Sequence, residues 1–190
     1  MATAGKNLSQ YSKEEILNSA DFKIGIVVSI WNDEITSNLL SGALQALKDF
    51  GVLDENIIIK QVPGAFELPL GSQYLLSAAD VDGVIAIGVV IQGETKHFDF
   101  VCEGVTQGIK DLNVQTDIPV IFCVLTDNTM QQSIDRSGGI HGNKGTEAAI
   151  AAIKMAFIRQ QASFSNQMDN QHLLGNATLQ IDSKPLQIEE

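Results

Sequence analysis

The amino-acid sequence predicts an α/β domain, a three-layer αβα sandwich built on a four-stranded parallel sheet. Four short apolar runs rich in Ile and Val, at residues 22–30, 56–62, 82–91 and 119–126, have the length and composition of buried strands. A segment with the characteristics of a helix follows each run. Because strands that alternate with helices form a parallel sheet covered on both faces, right-handed crossovers give a doubly wound domain.

The first strand, "FKIGIVVSI", leads into a helix with clear signals at both ends. Asn32 can cap this helix, and Asp33 and Glu34 favour its positive N-terminal end. Its apolar residues recur on one face, and Gly51 ends it. The apolar face consists of Ile35, Leu39, Leu40, Ala43, Leu44 and Leu47.

The remaining elements follow in the same alternation. The second strand, "NIIIKQV", ends at the turn "PGAFELP", and a helix is predicted over 67–79. The third strand, "DGVIAIGVVI", is apolar throughout, as is typical of a central strand, and a helix over 97–112 follows it. After the fourth strand, "PVIFCVLT", we expect a short helix over 129–136, a Gly-rich bend over 137–145 and an alanine-rich helix over 146–161.

The folded domain is predicted to occupy residues 22–162. Residues 1–21 are polar and are expected to form a flexible N-terminal arm. Residues 163–190 lose the apolar periodicity, and Asn, Gln, Asp and Ser dominate them, which predicts a disordered C-terminal tail.

The composition limits the partners of the chain. Its formal net charge is −11, so nucleic-acid phosphates and anionic membrane surfaces repel it, and we expect neither partner. No apolar run approaches the ~20 residues of a membrane span, and the polar N-terminal stretch lacks the apolar segment of a signal peptide. We therefore expect a cytoplasmic protein, with Cys102 and Cys123 reduced in its core.

Functional side chains cluster where the predicted strands end, which is where parallel α/β sheets bind ligands. The segment "IQGETKHFDF" places His97 there, and an imidazole can carry a proton near neutral pH, although a capping or loop histidine fits equally well. Trp31 either packs in the core or stacks on a flat ring. Glu67 either caps a helix or accepts hydrogen bonds from a polyol.

Arg136 is the candidate anion-binding group of this acidic chain. It ends a short helix beside Gly138 and Gly139, and it is either a solvated surface residue or a planar fork for a phosphate. From the residues alone we predict a site without a cofactor that binds a ring and a phosphate, with one histidine as the proton carrier.

The sequence does not support two other kinds of site, a nucleotide-binding P-loop and a metal site. "GGIHGNKGT" is superficially like a nucleotide-binding P-loop, but Lys144 is followed by Gly145, where that loop requires a hydroxyl residue. Glu94, His97 and Asp99 lack the regular spacing of metal ligands, so we expect no metal site.

Four segments carry a resemblance to a known family: "VPGAFELP", "IGVVIQGETKHFDFV", "PVIFCVLT" and "DRSGGIHGNKGTEAA". In their order and spacing they resemble 6,7-dimethyl-8-ribityllumazine synthases over about residues 22–160. The resemblance implies the condensation of 5-amino-6-(D-ribitylamino)uracil with 3,4-dihydroxy-2-butanone 4-phosphate, the penultimate step of riboflavin biosynthesis, without a metal or an organic cofactor. It also agrees with a flavodoxin-like topology of the predicted sheet.

The resemblance implies roles for individual residues. His97 matches the proton-transfer residue, and Glu94 and Thr95 match the segment beside the butanone phosphate. Phe122 and Arg136 match residues that a neighbouring subunit supplies, with Arg136 on the phosphate. The residues that match contacts to the pyrimidine and the ribityl chain are Trp31, Ala65, Phe66, Glu67, Val89, Val90 and Ile91.

The resemblance also implies a homo-oligomer, since the family forms pentamers and many members assemble twelve pentamers into an icosahedral shell. Gln92 and Ile140 stand where basic residues are common, and Trp31 stands where Phe is common. Two alternatives are a flavin-binding protein without turnover and a purely structural shell protein. The presence of both His97 and Arg136 argues against the first, because a pure binder needs neither group. Light scattering together with an assay for lumazine formation distinguishes the second.

Overall fold

The computed structural model of the chain describes residues 19–181, with side chains described to residue 163. Its four main strands form one parallel sheet in the order β2-β1-β3-β4, which confirms the predicted sheet and its flavodoxin-like topology. The strands are β1 (Ile24–Ser29), β2 (Ile57–Val62), β3 (Gly83–Ile91) and β4 (Val120–Asp127).

Five α-helices accompany the sheet in the described residues: α1 (Asp33–Asp49), α2 (Leu68–Ala78), α3 (His97–Thr116), α4 (Met130–Arg136) and α5 (Lys144–Ile181). Helices α2 and α3 share a hydrophobic cluster with one face of the sheet, which includes Val27, Val84 and Ala86. Because side chains alternate along a strand, the fully buried Ile26 and Ile85 point to the opposite face, which α1 covers. The sheet therefore lies between two helical layers.

The start of α1 differs in detail from the prediction. Asn32 occupies the N-cap position, but its backbone is left-handed, with φ 57°, and its side chain makes no capping hydrogen bond. Its carbonyl oxygen accepts instead from the backbone N–H groups of Ile35 and Thr36, at 3.0 and 3.2 Å. Asparagine tolerates the left-handed region better than most residues, which explains its use at this sharp turn.

The two ends of the chain are only partly described. Ser19 and Ala20 are anchored, because the Ser19 hydroxyl donates to the carbonyl of Phe50 and Asn56 Nδ2 donates to the carbonyl of Ala20. The flexibility of the arm stays a prediction, since residues 1–18 lie outside the described part.

The last helix is longer than predicted. Helix α5 continues to Ile181 rather than ending at residue 161, in a stretch that no proline interrupts. Its backbone thus overlaps the polar segment 163–190, whose disorder stays a prediction, and residues 182–190 lie outside the described part. A division into two compact units falls after Ala156, before the predicted domain end at 162.

The Gly-rich segment between α4 and α5 forms a small antiparallel hairpin, where we predicted a bend. Strands β5 (Ser137–Gly139) and β6 (Gly142–Asn143) pair across a turn at residues 140–141. The Asn143 side chain ties this hairpin to its surroundings. Its Nδ2 donates to the carbonyl of Asn38 in α1 at 2.8 Å, and its Oδ1 accepts from the N–H of Gly145 at 2.8 Å. "GNKG" is therefore the start of a helix and not a phosphate-binding loop.

Replacing Gly145 by alanine is expected to lower the melting temperature by about 10 °C. A Cβ at this position would overlap the carbonyl group of Leu39, so α1 and α5 would have to separate. Overpacking of this kind costs about 3 kcal/mol, which corresponds to a shift of that size for a chain of this length. Thermal unfolding measures it, with Gly93→Ala as the control, since a Cβ at Gly93 meets no atom within 4 Å. Equal melting temperatures for the two variants would contradict the expectation.

Candidate active site

The carboxyl ends of the strands open into a cavity of about 710 Å³, which we call the sheet-end cavity. It brings together eight of the residues predicted from the sequence: Trp31, Ala65, Phe66, Glu67, Val89, Val90, Ile91 and His97. Asn32, Gly64, Phe100, Val101 and Met130 complete its lining. A parallel sheet explains the gathering, because all four strands end at the same edge.

The aromatic walls of the cavity are held by the backbone. The N–H of Ile30 donates to the carbonyl of Val62 at 2.9 Å, and the N–H of Trp31 donates to the carbonyl of Pro63 at 3.2 Å, which joins the loops after β1 and β2. Trp31 is 71% exposed and Phe66 is 59% exposed. The core alternative for Trp31 is therefore wrong, and two exposed aromatic rings at the cavity offer surfaces on which a planar ring can stack.

The floor of the cavity presents backbone groups. Strand β3 pairs with β1 only as far as Ile87, whereas its pairing with β4 continues to Ile91. Within the described chain, the β1-facing edge of β3 beyond Ile87 therefore has no strand beside it. Unpaired N–H and C=O groups at such an edge can read the donors and acceptors of a heterocycle.

His97 is the first residue of α3 and has an exposed side chain on the cavity. Its backbone N–H donates to Thr95 Oγ1 at 3.3 Å, which fixes the turn into the helix. Glu94 and Thr95 lie in the exposed bend between β3 and α3. They adjoin His97 in the chain but do not line the cavity of this single chain.

Phe122 and Arg136 lie elsewhere. Both line a separate depression of about 580 Å³ on the outer side of β4, which we call the β4 depression. Phe122 is 41% exposed there. No Arg or Lys of the described residues lines the sheet-end cavity, so the candidate phosphate-binding cation and the candidate proton carrier occupy different surfaces of one chain.

Sequence reasoning missed several residues of these two sites. Lys144 and Glu147 line the β4 depression and form an ion pair, with Nζ and Oε2 2.6 Å apart. The sequence assigns Lys144 no site role, although it lies in a segment that carries the family resemblance, and nothing local in the sequence places it beside Arg136. Asp127, the last residue of β4, also lines the depression, whereas the predicted strand ended one residue earlier.

The cysteines are both free, but only Cys123 is a core residue; Cys102 is half-buried, which corrects the expectation for it. Burial, with a smaller effect of Glu147, raises the pKa of Cys123 to about 12, and burial with the nearby Asp99 raises the pKa of Cys102. A raised pKa lowers the thiolate fraction, so neither thiol is activated as a nucleophile.

Two other kinds of feature are absent from the described residues, a metal-binding cluster and a membrane-spanning helix. Over that part of the chain, no group of three or more His, Cys, Asp or Glu side chains is arranged to hold a metal ion. None of its helices combines the length and apolarity needed to cross a membrane.

The fold and the cavity are typical of a class of protein, the α/β enzymes with a small-molecule cavity at the carboxyl ends of a parallel sheet. Comparison with known proteins identifies the family: the family model of 6,7-dimethyl-8-ribityllumazine synthase matches residues 21–160. The chain belongs to this family. Its members are transferases that form 6,7-dimethyl-8-ribityllumazine from the aminouracil and the butanone phosphate, releasing phosphate and water, in the penultimate step of riboflavin biosynthesis.

Relatives match the chain over all or most of its length. A 6,7-dimethyl-8-ribityllumazine synthase of Flavobacterium johnsoniae is 67% identical over 190 residues, covering 100% of both chains. One of Flavobacterium psychrophilum is 60% identical over the same extent. One of Christiangramia forsetii is 64% identical over 165 residues, which are 86% of this chain and 98% of the relative.

Proposed function

We propose that each active site is formed by two copies of the chain, with the sheet-end cavity of one copy facing the β4 depression of another. The observation that carries this proposal is the location of Arg136 and Phe122 away from His97 within one chain. The reaction needs a phosphate-binding group beside its proton carrier, and the sheet-end cavity has no Lys or Arg among its described lining residues. A second copy supplies both Arg136 and another aromatic wall.

The two substrates occupy different parts of this composite site. The aminouracil ring stacks against Trp31 and Phe66 and is bound by the backbone of Val89–Ile91, while Ala65 and Glu67 contact its ribityl chain. The butanone phosphate lies between Glu94 and Thr95 of the same copy and Arg136 of the other copy. Phe122 of that other copy closes the ring site from the opposite side.

His97 serves the proton transfers of the condensation. The 5-amino group of the aminouracil attacks the ketone, and loss of water gives an imine. Phosphate is then eliminated, and the 6-amino nitrogen closes the ring with loss of a second water. Every step moves a proton, and an imidazole at the cavity can act in turn as acid and base. Holding two reactants in one site supplies much of the remaining acceleration.

A site of this kind predicts a closed ring of copies. Each copy gives its β4 depression to one neighbour and receives that of another, which is a head-to-tail contact that closes by rotation. The family resemblance supports a ring of five copies. We propose a 60-copy shell of such pentamers, because the connection between α4 and α5 is a compact hairpin without an insertion. A cytoplasmic location suits a biosynthetic enzyme with these substrates.

Complementation between two strongly impaired variants tests the shared site. His97→Ala removes the proton carrier from the sheet-end cavity, which is one half of the proposed site. Arg136→Ala removes the phosphate-binding group from the β4 depression, which is the other half. In randomly co-assembled particles, about a quarter of the sites combine two intact halves, so activity should approach a quarter of that of the natural protein. Lumazine formation, followed by absorbance on particles co-assembled from differently tagged chains, measures it.

The control is a mixture of the two variants after each has assembled alone, which should show no gain. A site contained in one chain predicts that co-assembled particles give only the average of the two variants. That result would exclude the shared site while leaving the family activity in place.

A further inference from the structure

We infer that Asp127 and Ser133 are positioning residues that hold the guanidinium of Arg136 in the orientation that binds the phosphate-bearing substrate. This inference rests on the proposed role of Arg136, and it concerns two residues that the sequence did not single out. Asp127 ends β4, whereas Ser133 and Arg136 lie three residues apart on α4.

The contacts form a short chain of buried groups. Ser133 is 0% exposed, and its Oγ donates to Asp127 Oδ2 at 2.8 Å. The other carboxylate oxygen, Oδ1, lies 3.8 Å from Arg136 Nε. Arg136 Nη1 donates to the carbonyl oxygen of Gln132 at 3.0 Å. The protein thus fixes one edge of the guanidinium, and a planar fork held in this way directs its other edge outwards.

The local fold explains why these groups meet. The N–H of Gln92 donates to the carbonyl of Asp127 at 2.9 Å, which holds the end of β4 against the end of β3. Thr129 caps α4 by accepting from the N–H of Gln132 at 3.3 Å. Residues three apart on a helix share a face, so Ser133 and Arg136 both face the strand end where Asp127 lies.

The nearly buried carboxylate of Asp127 is not explained by a contribution to the stability of the fold. The Asp127 side chain is only 9% exposed, and burying a charge is costly unless it is paired. Its negative charge also reduces the attraction of the β4 depression for any anion. A residue that opposes anion binding electrostatically, yet contacts the one side chain proposed to bind phosphate, contributes by fixing that side chain in place.

Asp127→Asn and Ser133→Ala test the inference in steady-state kinetics with both substrates varied. Asp127→Asn should raise KM for the butanone phosphate, and the inhibition constant of inorganic phosphate, about tenfold, because the guanidinium loses its nearly buried ion-pair partner at 3.8 Å. KM for the aminouracil should change less than twofold. Ser133→Ala should shift the same two constants in the same direction, about threefold, because one of the two carboxylate contacts remains.

Asp135→Asn is the matched control. It removes the same charge close to Arg136, one residue before it on α4, but the Asp135 carboxylate accepts a hydrogen bond from Gln131 at 2.9 Å and not from Ser133. It should leave both phosphate-dependent constants unchanged. A rise equal to that of Asp127→Asn would show that the effect does not depend on the carboxylate that contacts Arg136, and this would overturn the inference.

A double-mutant cycle separates positioning from a structural role. If Asp127 acts through Arg136, Asp127→Asn should add less than a twofold effect in an Arg136→Ala background. The same tenfold effect in that background, an equal loss for both substrates, or tighter phosphate binding would each overturn the inference. Should Asp127→Asn fail to assemble, Ser133→Ala carries the same cycle.

The design also distinguishes the two proposals. If Arg136→Ala leaves KM for the butanone phosphate unchanged, the proposed role of Arg136 fails, and the positioning role fails with it. If Arg136→Ala raises that KM but the cycle is additive, only the positioning role fails.

Discussion

Arg136→Ala should lower kcat/KM for the butanone phosphate by about a thousandfold, mainly by raising KM. A guanidinium that binds a phosphate through two charge-assisted hydrogen bonds contributes about 4 kcal/mol, and each 1.4 kcal/mol is a factor of ten. Few other cationic side chains can take over phosphate binding from Arg136, because the chain is acidic, with a formal net charge of −11. Initial rates with each substrate varied in turn measure the effect.

Arg136→Lys is the informative companion. It keeps the charge but loses the planar fork, so it should lie between the natural protein and Arg136→Ala. KM for the aminouracil should stay within about twofold in both variants, because Arg136 is assigned to the other substrate. An equal loss for the two substrates would point to damaged assembly, and no loss would remove Arg136 from the site.

His97→Ala should lower kcat by about a hundredfold while leaving both KM values nearly unchanged. Loss of a positioned acid or base costs about 10²–10⁴ in rate, and the lower end is expected here because much of the acceleration comes from holding two reactants together. Single-turnover measurements with saturating substrates isolate the chemical steps. The variant should therefore remain a slow enzyme, less damaged than Arg136→Ala.

His141→Ala is the control for that variant. His141 is exposed at the tip of the hairpin between α4 and α5, and its backbone N–H, not its ring, donates to the carbonyl of Asp135. Its removal should not change kcat. Addition of free imidazole should partly restore His97→Ala and leave His141→Ala unaffected. A rate for His97→Ala equal to that of the natural protein would exclude a proton-transfer role.

Apolar runs and helical spacing were enough to predict the parallel sheet, because burial on both faces forces β1 and β3 to be apolar throughout. They were not enough to predict the hairpin at residues 137–143, where glycines permit several turns and the contact of Asn143 with α1 decides between them. The extension of α5 to Ile181 was also not predicted. The polar composition of residues 163–190 led to the prediction of a disordered tail, although no proline interrupts the helix before Ile181.

The sheet-end cavity was largely predictable, because its residues follow strand ends and the parallel order brings those ends together. Motif resemblance then assigned a role to each. The β4 depression was less predictable, since Lys144 and Asp127 meet there only through the packing of α4, α5 and the edge of β4. No local pattern marks a side chain whose partner lies across the domain. The buried hydrogen bond from Ser133 to Asp127 is of the same kind.

The separation of Arg136 from the sheet-end cavity, together with the proposed shared site, has a consequence for how activity depends on protein concentration. Under that proposal, a newly synthesised chain carries residues for both substrates but no complete active site, so it is inactive until it associates with another copy. Turnover per chain should then fall on dilution below the dissociation threshold of the particle and recover on concentration.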